Sequence, residues 1–313
     1  MGHHHQDVNP TSLPGSYQDA GTQVQQAQEA AMQQALRQAM ASPDPMAAIK
    51  ALMQGAQQGR ASGTAQVNSQ AQTLAQNVDT RQAPTVGGQN YLNYSHDALY
   101  GMVNTNLNAG QVGDGSQAWN KISNSMVTIS KTLNNAATAT ESSWTGNAAD
   151  AARSFHTGVA SWTGTTSESA QLVSDNMYNQ STAAQTAQSA VPKPVPYSFT
   201  NELNDFFSAP NPVAGMNTIN QKLAAQQQAH QAAANAVQAY DTTLGQSAGK
   251  MPAMAPVPTF SPTSGGGVSG GGGGTGSGGT GGGGGSTFPG GGGGSGGSGS
   301  GGGGGGGTGG GSG

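Results

Sequence analysis

The chain has 313 residues, 10 Lys and Arg against 14 Asp and Glu, and no cysteine. A net charge of −4 with only 8% charged residues offers no basic surface to nucleic acid or to an anionic membrane, and the lack of cysteine excludes disulfides, thiolate metal sites and thiol catalysis. Most of the 53 glycines lie beyond residue 260, where apolar side chains are too sparse to offset chain entropy.

In chain order, residues 1–21 are predicted to be a disordered polar tail with Pro10, Pro14 and Gly15. The triple His3, His4, His5 is a weak metal site, because adjacent histidines on a free end impose no geometry. Nothing near the start has the apolar core of a classical signal peptide, and no run of 18 apolar residues occurs, so an integral membrane segment is not expected. Residues 22–88 form a Gln/Ala-rich helical extension. Val24, Ala27, Ala31, Met32, Leu36 and Met40 make one helical stripe stopped at Ser42 and Pro43. Asp44 and Pro45 read as a cap and first helical residue; Met46, Ile49, Leu52 and Met53 follow, and Gly55 and Gly59 are expected to end that helix. Val67, Ala71, Leu74 and Val78 suggest a third helix.

The segment 89–245 is better specified. A helix over "QNYLNYSHDALYGMVNTNLN" is expected to break at "AGQVGDGS". From Trp119 the positions Ile122, Met126, Ile129, Leu133, Ala136 and Thr140 alternate at three and four residues, a seam along one side of a helix. Ala148, Ala152, Phe155, Val159, Trp162, Thr166, Ser169 and Val173 repeat the rule, and so does the run Met216, Ile219, Leu223, Gln226, His230, Ala233, Val237, Tyr240, Leu244. The fold class predicted is all-α: an elongated antiparallel helical bundle, followed over 246–313 by a disordered Pro-rich and then Gly/Ser-rich tail.

Two "SWTG" tetrapeptides stand at 143–146 and 161–164. The first joins two seams, where Gly146 is expected to take a left-handed conformation and Trp144 to fold its ring over the end of the hairpin. The second puts Trp162 on the following seam, where it reads as a core residue. A W-x-G turn in a long helical hairpin resembles the small substrates of actinobacterial type VII secretion and the larger PPE proteins. The order of features over roughly 90–245 is similar to a PPE domain: the seam from Trp119, "SSWTGNAADAARSF", Trp162, the break "AVPKPVPYS", a short helix ending in Phe206 and Phe207, and "SAPNPVAGMNTINQKL" opening the last helix. The chain departs from the family in three ways. "NYSHDAL" stands in place of the Pro-Pro-Glu signature, a long extension precedes the domain, and no Tyr is followed four residues later by Asp or Glu, the usual export signal.

The resemblance implies a non-enzymatic secretion substrate or envelope-associated protein that acts through helix pairing, cytoplasmic before export. It also implies a helical W-x-G or PE-like partner on the seam Trp119, Ile122, Met126, Ile129, Leu133, Phe155, Val159 and Trp162, and a secretion chaperone at the tip bearing Phe206 and Phe207. Adjacent phenylalanines cannot both face inward on one short helix; a contact surface and a bundle cap with one Phe covered by the extension are the two readings. The alternative function is an intracellular structural protein with a flexible glycine-rich spacer. No cofactor or metal is called for: His96, His156 and His230 share no face, and Glu141 and Asp150 read as helix-end carboxylates. Because the seams are thinly apolar, something must cover the bundle, either the N-terminal helices with Val24, Leu36, Ile49 and Leu74 or a separate hairpin protein. The Pro and Gly interruptions favour the separate partner.

Overall fold

The computed structural model describes residues 8–82, 88–105, 107–194 and 199–259. All of these belong to one compact unit, Met1–Gly272; the second, Gly273–Gly313, lies outside the described residues, as do the triple His and the glycine-rich part of the predicted tail. The described residues form seven α-helices and no strand: α1 Ala20–Ala41, α2 Pro45–Asn77, α3 His96–Asn104, α4 Ala109–Ala139, α5 Asn147–Ala190, α6 Phe199–Ser208 and α7 Pro212–Ala248. The all-α class stands.

Local chemistry sets the helix starts. Asp19 accepts a hydrogen bond from the Thr22 amide and Asp44 one from the Met46 amide, with Pro45 at the first helical position. Ser95, Asn108 and Asn211 cap α3, α4 and α7 in the same way. The helix expected to end at Gly55 and Gly59 does not end there: α2 runs for 33 residues. Gly55, Gly59 and Gly63 are buried where α2 crosses α1, and a Cβ on Gly59 would sit 2.6 Å from the Gln28 Cα. Glycine costs helix propensity, but here it allows close backbone approach, and packing outweighs propensity. Likewise "AGQVGDGS" is the first two turns of α4 and not a break. Gly113 lies against the Ser181 hydroxyl and Gly115 against the Met177 side chain of α5.

α4 and α5 make the most extensive pairing, an antiparallel hairpin. Its contact line is Ala109, Ser116, Ser123, Ser130 and Ala137 on α4, all buried, facing Ala160, Ser167, Ser174 and Ser181 on α5. Serine hydroxyls cross to the opposite backbone: Ser116 Oγ to Ser174 O at 2.9 Å, Ser174 Oγ to Ser116 O at 2.8 Å, Ser123 Oγ to Ser167 O at 2.8 Å, Ser130 Oγ to Ala160 O at 2.7 Å and Ser181 Oγ to Ala109 O at 2.7 Å. Small side chains bring the helices close enough for these bonds, and the bonds satisfy the hydroxyls that burial would otherwise penalise.

The segments predicted to be disordered are ordered wherever they are described. Residues 8–19 lie along the α4–α5 hairpin: Leu13 is buried and, with Val8, lies against Gly164. Asn120 and Asn124 donate to the Tyr17 carbonyl, the Tyr17 amide donates to Asn124, and Lys131 donates to the Pro14 carbonyl. Paired main-chain groups account for order in a stretch poor in apolar residues. At the other end α7 continues to Ala248, and residues 249–259 return along α5. Asp79 to Arg81 and Met251 to Ala253 are joined by an antiparallel bridge, with Arg81 N to Met251 O at 2.8 Å and Ala253 N to Asp79 O at 2.7 Å.

The third seam packs over half its length. Ala233 and Val237 are buried with Leu99 and Val103 of α3 and with Ala187 and Val191 at the end of α5, and Tyr240 packs against this cluster. Met216 and Leu223 are exposed. There α7 pairs with the short α6 and not with a long partner helix.

Candidate helix-docking faces

The W-x-G turn occupies residues 140–146. Gly146 has φ 104° and ψ 170°, the mirror image of extended backbone and not the left-handed helical conformation expected. That region belongs to glycine. Its carbonyl accepts from the Asp150 amide, and Asp150 is paired with Arg153. The Arg153 guanidinium also donates to the Trp144 carbonyl at 2.7 Å. These polar links hold the turn, and Trp144 is 46% exposed instead of plugging the hairpin.

The seam read from Trp119 is not the α4–α5 interface. Ile122 and Ile129 are 41% and 45% exposed, and Trp119, Met126 and Leu133 are half-buried. Ile122 and Ile129 lie about 100° round the helix from the serine line, and Trp119, Met126 and Leu133 about 50° from it on the same side. The reason is the alternative register: the serines one position along offer closer packing with interhelical hydrogen bonds, and they win the interface. On α5, Val159 is turned about 100° from its serine line in the same rotational sense, which in an antiparallel pair places it on the same face of the hairpin as Ile122 and Ile129, whereas Phe155 and Trp162 stand about 160° round, on the side of α5 away from α4. Trp162 is half-buried there, not in the core, and its indole donates to the Ala255 carbonyl at 3.0 Å. Among the described residues α4 makes extensive contact only with α5, so its bulky stripe has no helical partner there.

The opposite face of the hairpin is covered by residues 8–19 and by the α1–α2 hairpin. Ala20, Val24 and Val67 pack with Tyr178, and Ala71, Leu74 and Val78 with Leu172. The N-terminal helices therefore do fold back on the bundle, contrary to the expectation that a separate partner alone covers it. Only one end docks: Val24 and Leu74 are buried, whereas Leu36 and Ile49 are exposed. Beside the apolar clusters lies a polar junction. Asp175, fully buried on α5, accepts from Gln70 of α2 at 3.1 Å and from Gln171 at 2.8 Å, and Gln70 accepts from Gln23 of α1 at 3.0 Å. Burial pushes the Asp175 carboxyl up to about 7, with the two glutamine bonds opposing and Asp19 adding to the rise. Burial also raises Glu168, against a hydrogen bond to Asn77, and one Glu168 oxygen is buried without a hydrogen bond. Tyr17 is raised by burial first, then by the nearby Glu168 and Asp175. Sequence reading missed this junction; three carboxylates and three glutamines scattered over about 150 residues carry no local pattern.

At the distal tip Phe206 and Phe207 stack edge to face with ring centroids 5.5 Å apart. Phe206 packs on Gly215 of α7, and Phe207 is 76% exposed, so the pair divides between cover and contact. The structure also brings His96 and His230 together, ring centroids 6.3 Å apart, which their separate helices concealed in the sequence. Each spends its Nε2 on a backbone carbonyl, His96 on Pro192 at 2.9 Å and His230 on Tyr94 at 2.8 Å. Comparison with protein-family models, with curated proteins and with solved structures finds no match to this chain.

Proposed function

We propose that the chain is a non-enzymatic helix-pairing protein, exported by a type VII secretion route, in which the α1–α2 hairpin is a built-in partner for the W-x-G hairpin and the outer stripe of α4 receives an external helical protein. The observation that carries this reading is the asymmetry of the α4–α5 hairpin. One face is occupied by the N-terminal residues, while the other presents Ile122, Ile129 and their neighbours at helical spacing, the pattern that helix-in-groove and bundle contacts use. A W-x-G or PE-like partner fits the stripe. The tip bearing Phe207 supplies a separate apolar contact for a secretion chaperone. No helix among the described residues is long and apolar enough to cross a membrane, which accords with a protein that reaches the envelope or medium as a folded helical body.

The test is secretion from an actinobacterial host with and without its type VII ATPase, using the full chain and the double variant Ile122→Glu/Ile129→Glu. ATPase-dependent export that the double variant loses, with its thermal melt unchanged, supports the reading. Export independent of the ATPase overturns it, and retention in the cytosol in every host favours an intracellular structural protein with a flexible spacer.

A further inference from the structure

Beyond the α4 stripe, a second set of bulky apolar residues is left uncovered. At the free end of the α1–α2 hairpin, Met32, Leu36 and Met40 of α1 and Met46, Ile49 and Met53 of α2 are all exposed, Met40 at 79% and Met46 at 72%. We propose that this end of the hairpin is a self-association surface, on which a second copy of the chain docks tip to tip to close a four-helix bundle.

Three features of the molecule lead there. First, the six side chains form one face. α1 and α2 meet through Ala31 and Ala35 against Gly55 and Gly59. At 3.6 residues per turn both apolar sets lie roughly 115° from that contact in the same rotational sense. In an antiparallel hairpin equal rotations bring both sets to the same side, so three residues from each helix make a continuous patch that is close to two-fold symmetric. Second, the hairpin's docking on the described remainder of the chain lies elsewhere. The hairpin docks on α5 through Ala20, Val24, Val67, Ala71 and Leu74, at the end remote from the Ser42–Asp44 turn.

Third, the size and charge suit a like partner. Six such side chains expose on the order of 500–700 Å² of mainly apolar surface, at or beyond the upper end of the roughly 300–600 Å² that the largest patch of a soluble monomer shows. Two copies face to face would remove about 1,000–1,400 Å² from water, the scale of a specific protein interface. Charge does not oppose it: the chain carries −4 overall, but the tip holds Arg37 and Lys50 against Asp44, so like copies meet there without the repulsion their net charge gives elsewhere. The same near-neutrality argues against an anionic lipid surface, which wants a basic cluster. Four methionines suit a symmetric contact, because unbranched thioethers repack against their own copies without demanding one rotamer.

The experiment is analytical ultracentrifugation of the full chain from micromolar to near-millimolar concentration, on wild type, Met40→Glu/Met46→Glu and Ile122→Glu/Ile129→Glu. The expected result is a wild-type dimer, a tip variant whose association is weaker by at least about tenfold because association would desolvate charge, and an α4-stripe variant that still dimerises. The helical melt of the tip variant should match wild type, since both side chains are exposed in the monomer. A wild type that stays monomeric throughout overturns the proposal. So does a dimer that survives the tip substitutions or is lost with the stripe substitutions. A monomer that instead binds phosphatidylcholine–phosphatidylglycerol vesicles through Met40 and Met46 overturns it in favour of lipid.

Discussion

Asp175 makes the docking of the N-terminal hairpin sensitive to pH, in a direction opposite to that of an ordinary ion-paired aspartate. In the unfolded chain its carboxyl titrates near 3.8, and in the folded chain burial at the α2–α5 contact holds it near 7. Between those values the folded chain keeps a proton that the unfolded chain has released, so stability is fully present below the lower value and falls as pH rises through the upper one. Three units at 1.36 kcal/mol each set a ceiling of about 4 kcal/mol, of which about 2–3 kcal/mol falls between pH ~5 and ~8.5. Asp175→Asn keeps the shape and cannot ionise. Its amide faces the Gln70 amide group, a mismatch that costs the same at every pH and cancels from the comparison. Urea unfolding followed by circular dichroism should show the variant gaining on wild type by that 2–3 kcal/mol as the pH is raised. The groups that face Asp175 are Gln70 and Gln23 from the hairpin, Gln171 on its own helix and Asp19, with Tyr17 and Glu168 nearby and no cation among them, so no opposing titration masks the effect. Parallel pH profiles for the two proteins would refute the buried-carboxylate reasoning.

Three further outcomes follow from the packing, each read by chemical or thermal unfolding. Gly146→Ala should cost about 1–3 kcal/mol because its backbone conformation excludes a Cβ, whereas Trp144→Ala should cost under about 1 kcal/mol because the residue is exposed; equal costs would mean the turn is not held by the glycine. Gly59→Ala should destabilise α1–α2 pairing by about 1–3 kcal/mol, since the added carbon meets the Gln28 backbone, and an unchanged melt would show the crossing to be looser than described. Ser123→Ala should cost about 1 kcal/mol for the lost bond to Ser167 O, Ser123→Leu several times more by forcing the helices apart, and Ile129→Ser within about 0.5 kcal/mol of nothing.

How much of this was legible in the sequence varies with the kind of signal. Helix class, the Asp44–Pro45 start and the hinge at Gly146 were readable because each depends on neighbours within a few residues. The continuity of α2 was not, because the glycines that look like breakers are contact residues of α1, a fact that resides in another segment. Residues 8–19 looked structureless because they carry little apolar surface. What fixes them is hydrogen bonding from Asn120, Asn124 and Lys131, more than 100 positions away. The Asp175 junction was invisible for the same reason.

The candidate docking face is the harder case, because the bulky pattern in the sequence is real but its contact is not the hairpin interior. α4 carries two seams one position apart, a bulky one through Ile122 and Ile129 and a small one through Ser116, Ser123 and Ser130 that repeats every seven residues and is matched on α5 by Ala160, Ser167, Ser174 and Ser181. Area burial alone favours the bulky seam as the interior, since each Ile is worth roughly 1.5–3 kcal/mol when covered. The serine seam prevails inside the hairpin because reciprocal bonds such as those of Ser116 and Ser174 need both helices close together, and bulky residues on the same line would prevent it. A matched seven-residue repeat of small residues on two consecutive helices was the signal to weigh. Once that line is taken as the interior, the bulky line must face outward, and a helix that spends its small residues on its own hairpin has its large ones free for another chain. The outward stripe and the methionine face of α1–α2 are then two consequences of one design: both hairpins close on small residues, alanine with serine in one and alanine with glycine in the other, and both display their bulk.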